Sequence, residues 1–224
     1  MARTIGVLGP SGTGKTTSMR NLDHNRTLLI NIASKEVPLP GSESKYKKKS
    51  QVGENEKHNR VDTHDSRKIE KILKGADKSG DFKNVVIDDI QYLMSFEFMQ
   101  RIKENGWDKF QDIALHFYNV IQKTRELRDD MNVFFLGHIS EKDDGLKGLK
   151  TVGKATDQYL NPEGLFTMIL QTEVFMEEEE LSDRFKFMTQ SDGERVCRSP
   201  MGMFDSMYIP NDLQLVVERI EDYY

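Results

Sequence analysis

The sequence predicts an α/β fold, a mostly parallel sheet flanked by helices with a β-hairpin extension toward the C-terminus. Three observations predict it. Apolar runs at Thr4–Leu8, Leu28–Ile32, Asn84–Asp89 and Asn132–His138 recur through the first 140 residues, separated by segments of helical periodicity. Strands that alternate with helices pair in parallel through right-handed crossovers. The first run opens directly into the glycine-rich stretch "GPSGTGKTT" (Gly9–Thr17). Beyond Glu141 the texture changes, and "GLFTMILQTEVFM" and "RFKFMTQS" alternate around the acidic turn Glu177–Glu180. That alternation is the pattern of an antiparallel hairpin.

Taken in order, Thr4–Leu8 is a short run, apolar after Thr4, and reads as a strand buried on both faces. A helix is expected from Thr16 to Leu22. Leu28–Ile32 ends before "ASKEVPLPG", where prolines and a glycine forbid continuation. Residues 41–60 are rich in Lys, Ser, Glu and Asn with little periodicity, so a mobile basic surface insertion is expected there. In "DSRKIEKILKG", Ile69, Ile72 and Leu73 stand at helical spacing, with Asp65 or Ser66 as N-cap and Gly75 as stop. Ile90–Glu104 and Trp107–Arg128 read as amphipathic helices. In the second, Phe110, Ile113, Ala114, Phe117, Ile121 and Leu127 form one core-facing stripe. A Gly/Lys/Asp loop is expected from Glu141 to Lys154. The 224 residues read as one domain.

Composition narrows the function. Charged residues make up 31% and the net charge is −5, so the surface as a whole repels a polyanion. Any nucleic-acid contact must use local patches. No apolar run approaches the roughly 18–20 residues of a membrane span, and the first strand has no signal-like leader before it. Neither a membrane partner nor export is expected, and a cytoplasmic location is. The one cysteine, Cys197, excludes an intramolecular disulfide and reads as a small buried hydrophobe.

Gly9 to Thr16 spells G-x-x-x-x-G-K-[ST], the phosphate-cradling P-loop. Glycines let successive backbone N–H groups turn inward around phosphates, and a following helix adds its positive N-terminal end. ATP contact is therefore expected along Gly9, Pro10, Ser11, Gly12, Thr13, Gly14, Lys15, Thr16 and Thr17. Lys15 would reach the β- and γ-phosphates, and the Thr16 hydroxyl would ligate Mg²⁺. Asp88 closes an apolar run and is the expected second carboxylate of the Mg²⁺ shell. Asp89 beside it is a helix cap or a catalytic base. Glu36 lies just past the second strand, where it could orient an attacking water. His138 ends the fourth strand, where a polar group could sense the γ-phosphate. In a parallel sheet these groups converge at the carboxyl ends of the strands. Two basic patches stand out, Lys45–Lys49 and the set Lys147, Lys150 and Lys154. The second follows the sensor directly and is the better candidate for DNA contact.

The order of these features resembles the RecA core, and most closely the small RecA-like P-loop ATPases of bacteriophages, including single-strand annealing recombinases. The resemblance runs from about Thr4 to Phe204. It implies ATP and Mg²⁺ as cofactors, single-stranded DNA as partner, self-association, and a single-strand-binding protein as possible companion. It makes Glu36 the water-activating glutamate, His138 the polar sensor and Glu141–Lys154 the DNA-binding loop. It also nominates Arg198, and less strongly Arg195, as a cation reaching a neighbour's nucleotide. Asp89 departs from the pattern: RecA-like proteins carry Ser or Thr there, and an acidic pair is closer to the AAA+ class. The base therefore stays open between Glu36 and Asp89. The alternative functions are an AAA+-like remodeller or helicase loader, for which no C-terminal helical lid is read, and a nucleotide-gated scaffold with little turnover. A GTPase is disfavoured because no N-K-x-D occurs.

Overall fold

The expected strands lie side by side in one sheet. In the computed structural model, β1 (Arg3–Gly9), β2 (Thr27–Asn31), β3 (Arg60–Asp62), β4 (Asn84–Asp88) and β5 (Asn132–Glu141) are joined by β7 (Met168–Val174) in parallel pairing. β8 (Phe185–Met188) and β9 (Tyr208–Pro210) extend it in antiparallel fashion, giving the order β3-β2-β4-β5-β1-β7-β8-β9. A short β6 (Lys147–Leu149) pairs with the end of β5. The structure describes all residues except 55, 142–144, 153–156, 159 and 181–182.

The apolar runs are continuous because both faces of the sheet are covered. Successive residues alternate between two cores. Leu28, Ile30, Val85, Ile87, Val133 and Phe135 face one, packed by α2 (Ser66–Ser79), α3 (Gln91–Gln100) and α4 (Asp108–Thr124). Leu29, Val86, Phe134 and Leu136 face the other, shared with Met19, Tyr46 and the last helix, α5 (Leu213–Tyr223). Of the expected α4 stripe, Ile113, Ala114, Phe117 and Ile121 are buried core, Phe110 is only half-buried, and Leu127 is buried just past the end of the helix. Cys197 is buried too, and burial pushes its thiol up to about 12, so it is a neutral apolar group at ordinary pH.

Five expectations need correction. Thr16–Asn21 is a 3₁₀ turn rather than an α-helix. Its hydroxyl-bearing residues compete with the ladder, and the Ser18 hydroxyl donates to the Lys15 carbonyl at 2.5 Å. Helix α2 passes Gly75, where a side chain would meet open space, and stops at Gly80, whose φ of 70° makes the left-handed cap. The described residues of segment 41–60 are tied to the body at several points rather than wholly projecting. The segment carries a one-turn helix α1 (Ser42–Lys45) and a buried Tyr46, and it leads into β3 on the sheet edge. The Asn59 side chain ties it down by donating to the carbonyls of His24 and Lys45. The expected loop 141–154 contains β6, because Leu149 is fully buried against Gly137. Finally, the chain ends in a helix: Asp212 caps α5 by accepting from the Gln214 N–H, and Leu213, Val216, Val217 and Ile220 bury one face at 3–4 spacing.

Gly137 is where β5 most needs to lack a side chain. A Cβ there would collide with the Leu149 side chain and stand 3.1 Å from Ile90 Cγ2. Gly137→Ala is expected to cost about 1–3 kcal/mol by overpacking. Urea denaturation checks this, and an unchanged midpoint would show that β6 yields freely.

Candidate active site

The register brings the sequence-predicted groups to one end of the sheet. Gly9 of β1 stands opposite His138 of β5, and Asn31 of β2 stands opposite Asp88 of β4. β5 therefore lies between the strand that delivers the glycine loop and the strand that delivers the carboxylates.

The loop itself depends on glycine at two positive-φ positions, Gly12 at 78° and Gly14 at 88°. Gly9 is needed for space, since a Cβ there would collide with the Thr172 hydroxyl. Thr172, on β7, also pairs with the Thr13 hydroxyl at 2.5 Å, while Thr13 donates to the Pro10 carbonyl. Lys15 is buried and donates to the carbonyls of Gly9 at 2.9 Å and Pro10 at 2.6 Å, so its ammonium sits inside the curl of the loop. Burial lowers its pKa to about 8, against the upward pull of Asp89 and Asp88. The following turn is six residues of 3₁₀ helix, too short to carry much macrodipole. The loop N–H groups and Lys15 therefore supply most of the anion attraction.

The Thr16 hydroxyl donates to both Asp88 oxygens, at 3.0 and 3.2 Å. Burial, aided by the charge of Asp89, raises the Asp88 carboxyl to about 6. One hydroxyl and one buried carboxylate form a hard oxygen pair, which suits Mg²⁺ completed by water and phosphate oxygens. The donor set therefore fits the expected cofactors. Thr16 and Asp88 would hold the metal, and when bound it would neutralise charge on the transferring phosphoryl group. Among the described residues no group of three or more His, Cys, Asp or Glu forms a metal cage.

Asp89 is not a simple cap. It adopts φ 62° in the turn between β4 and α3, a conformation that Asp tolerates better than most residues. Its carboxylate receives Lys35 Nζ at 2.5 Å, Gln91 Nε2 at 3.2 Å and His138 Nε2 at 3.3 Å. Burial alone would raise its pKa, but the bonds from His138, Lys35 and Gln91 outweigh that and hold it below the usual carboxylate range. Gln91 in turn accepts from the His138 backbone N–H at 3.1 Å, which locks the end of β5 to the start of α3. The sensor position is thus wired to Asp89.

Two expected residues are elsewhere. Glu36 is exposed and, among the described residues, makes no hydrogen bond or ion pair. Its neighbour Lys35 enters the site instead, because Ser34 at φ 56° turns the chain and Asn31 Nδ2 holds the Lys35 carbonyl at 2.7 Å. Arg198 stands beside the start of β7, away from the loop end of the sheet, and donates to the carbonyls of Glu163 and Phe166 at 2.6 and 2.5 Å. It does not reach the nucleotide loop of its own chain. Arg195 is committed to Glu173 and Asp192. Of the basic set, Lys147 lies on β6 and Lys150 is exposed, while Lys154 lies outside the described residues. Lys35, Gln91 and Thr172 are the site residues that sequence reasoning missed. Only Lys35 carried a signal, as a cation at the end of β2.

A family model described as an AAA domain matches residues 1–199. The chain belongs to the AAA domain family. This AAA domain is accordingly a nucleotide-binding P-loop ATPase of a family that uses ATP and Mg²⁺, and the acidic pair Asp88–Asp89 agrees with that placement. No curated protein matches its sequence. Among the described residues, no helix of the AAA domain is long and apolar enough to cross a membrane.

Proposed function

We propose that this chain hydrolyses Mg²⁺-bound ATP with Asp89 orienting the attacking water, and that it couples nucleotide state to single-stranded DNA. The observation that carries the first part is the three-donor clamp on Asp89, set beside the Thr16–Asp88 pair. A carboxylate with a depressed pKa is a poor proton acceptor but a well-fixed hydrogen-bond acceptor for water. Lys35 is more than half exposed at its side chain, so an incoming γ-phosphate can draw it away and leave Asp89 to the water. Lys15 leaves the two loop carbonyls for the phosphates. His138 transmits the change, since it touches Asp89 through its ring and belongs to β5 through its backbone.

The DNA part rests on connectivity. The Lys150 N–H donates to the His138 carbonyl at 2.7 Å, so the basic segment is bonded directly to the sensor. Lysine contacts to phosphates would give binding that is sequence-independent and falls with salt. The roles expected from RecA-like phage recombinases, self-association and work alongside a single-strand-binding protein, belong to this reading. Lys147→Ala combined with Lys150→Ala and Lys154→Ala is expected to weaken ATP-dependent binding to labelled single strands and to flatten its salt slope. Fluorescence anisotropy with a non-hydrolysable ATP analogue checks this. No binding by the unaltered protein at low salt would remove the DNA role.

A second reading has its own observation. Met99, Ile102, Trp107, Leu115 and Tyr118 are large exposed apolar residues on and between α3 and α4. Exposed apolar residues of this size, where they adjoin, mark protein contact. This observation favours an AAA-type remodeller or a nucleotide-gated scaffold if DNA binding is absent.

A further inference from the structure

Lys35 makes the shortest of the three contacts on Asp89, yet its side chain is more than half exposed. A long, flexible ammonium at the surface gives up much rotamer freedom to stay in one place. One ion pair to such a lysine holds it weakly. A second partner stands close by, at the start of α3. Lys35 Nζ lies 5.6 Å from the centroid of the Tyr92 ring, within the range of a cation–π contact. We propose that Tyr92 is a positioning residue for hydrolysis, whose ring face seats Lys35 between Asp89 and the γ-phosphate. This rests on the reading of Asp89 and Lys35 given above and adds what holds the moving cation.

The ring is built into the site. The Tyr92 backbone N–H donates to the Asp89 carbonyl at 2.9 Å, so Tyr92 belongs to the same turn that aims the Asp89 carboxylate. Phe96, one helical turn further on, lies nearly parallel to the ring, at 20° with centroids 5.2 Å apart. Phe96 is met edge-on at 5.4 Å by the ring of His64, which belongs to the connection between β3 and α2. Tyr92 also meets the His138 ring in an edge arrangement, with centroids 6.4 Å apart. Stacked and edge-to-face contacts fix the orientation of a ring as well as its position. Two of the three donors on Asp89, Lys35 and His138, therefore adjoin one supported aromatic ring.

The role falls to the ring and not to the hydroxyl, which makes no hydrogen bond among the described residues. The face of an aromatic ring attracts a cation through a diffuse negative region rather than a lone pair, so it holds the charge without fixing its direction. An ammonium on such a surface can swing from a carboxylate to a phosphate oxygen and stay attached. Among the described residues Asp89 and Tyr92 are the partners of the Lys35 ammonium. Asp89 alone would oppose the swing, because every step toward the phosphate weakens that ion pair. With Tyr92 beneath it, Lys35 can meet charge developing on the transferring phosphoryl group while Asp89 turns to the water.

A double-mutant cycle on the full chain, read as kcat and KM for MgATP in steady-state phosphate release, tests the proposal. Tyr92→Leu is expected to lower kcat by about 3- to 10-fold, the range of a partly exposed cation–π contact, and to move KM less. Tyr92→Phe, which keeps the ring and removes the hydroxyl, should recover most of that loss. Lys35→Met should lower kcat at least as far as Tyr92→Leu does. In the Lys35→Met background Tyr92→Leu should cause no further loss, since the ring then has no cation to seat. Urea midpoints show whether each variant is folded, and Tyr92→Met repeats the cycle if Tyr92→Leu is not. A Tyr92→Leu variant with unchanged kcat would overturn the proposal. So would equal damage by Tyr92→Phe, or Tyr92 and Lys35 losses that multiply, the mark of a residue that only supports the fold. Asp89→Asn in the same assay separates the two levels of the account. If it turns over normally, the Asp89 reading falls and this inference falls with it; if it is inactive while the Tyr92 and Lys35 losses multiply, this inference alone falls.

Discussion

Lys15→Ala is expected to reduce ATP turnover by about 100- to 1,000-fold, the cost of removing a preorganised cationic donor from a developing charge. In the structure this ammonium is enclosed by the glycine loop, within hydrogen-bond reach of the carbonyls of Gly9 and Pro10. Its removal takes away the main partner of the transferring phosphoryl group. It also leaves Asp88 and Asp89, both buried, with less compensating charge nearby. ATP affinity should therefore fall along with turnover. Phosphate release and equilibrium binding measured on the same sample separate the two effects. Turnover at the unaltered rate would mean that the loop does not hold the reacting phosphates.

The second large effect is expected at Asp89. Asp89→Asn retains the shape but loses the charge that Lys35, Gln91 and His138 all address. Hydrolysis should slow by about 100- to 10,000-fold, the span of positioned acid–base groups. Because Lys15, Thr16 and Asp88 are untouched, ATP should remain bound. Glu36→Gln should leave hydrolysis within about twofold of the unaltered rate, since surface substitutions that break no contact are close to neutral. Trapped, unhydrolysed ATP on Asp89→Asn, scored by rapid filtration, is the distinguishing signature. Normal turnover by Asp89→Asn together with loss in Glu36→Gln would reverse the assignment and require Glu36 to move into the site.

How much of this can be read from residues alone depends on whether the signal is local. The glycine loop, Thr16 and Asp88 are legible because phosphate and metal chemistry imposes residue types at fixed spacing. The parallel strands are legible because burial on both faces leaves unbroken apolar runs such as Val85–Ile87 and Val133–Leu136. Lys35 and Glu36 show the limit. They are adjacent at the end of β2, and which of them turns inward is decided by one positive φ at Ser34 and one Asn31 hydrogen bond. Neither has a signature in composition. Thr172 and Asn211 meet the loop from about 160 and 200 residues away, through contacts that pairing and packing create. β3 escapes notice because three residues, only one of them apolar, are too few to show alternation. Helix α5 is hidden for a different reason: its periodicity is present, but the preceding hairpin suggests that strands continue.

Lys15, the Thr16–Asp88 pair and the clamped Asp89 are proposed to act as one ATP-hydrolysing centre. Steady-state phosphate release by the unaltered chain, compared with Lys15→Ala and Asp89→Asn in the presence and absence of Mg²⁺, tests it most directly. Mg²⁺-dependent release by the unaltered protein and near-background release by both variants are expected. Release that is independent of Mg²⁺, or equal in all three proteins, would contradict it.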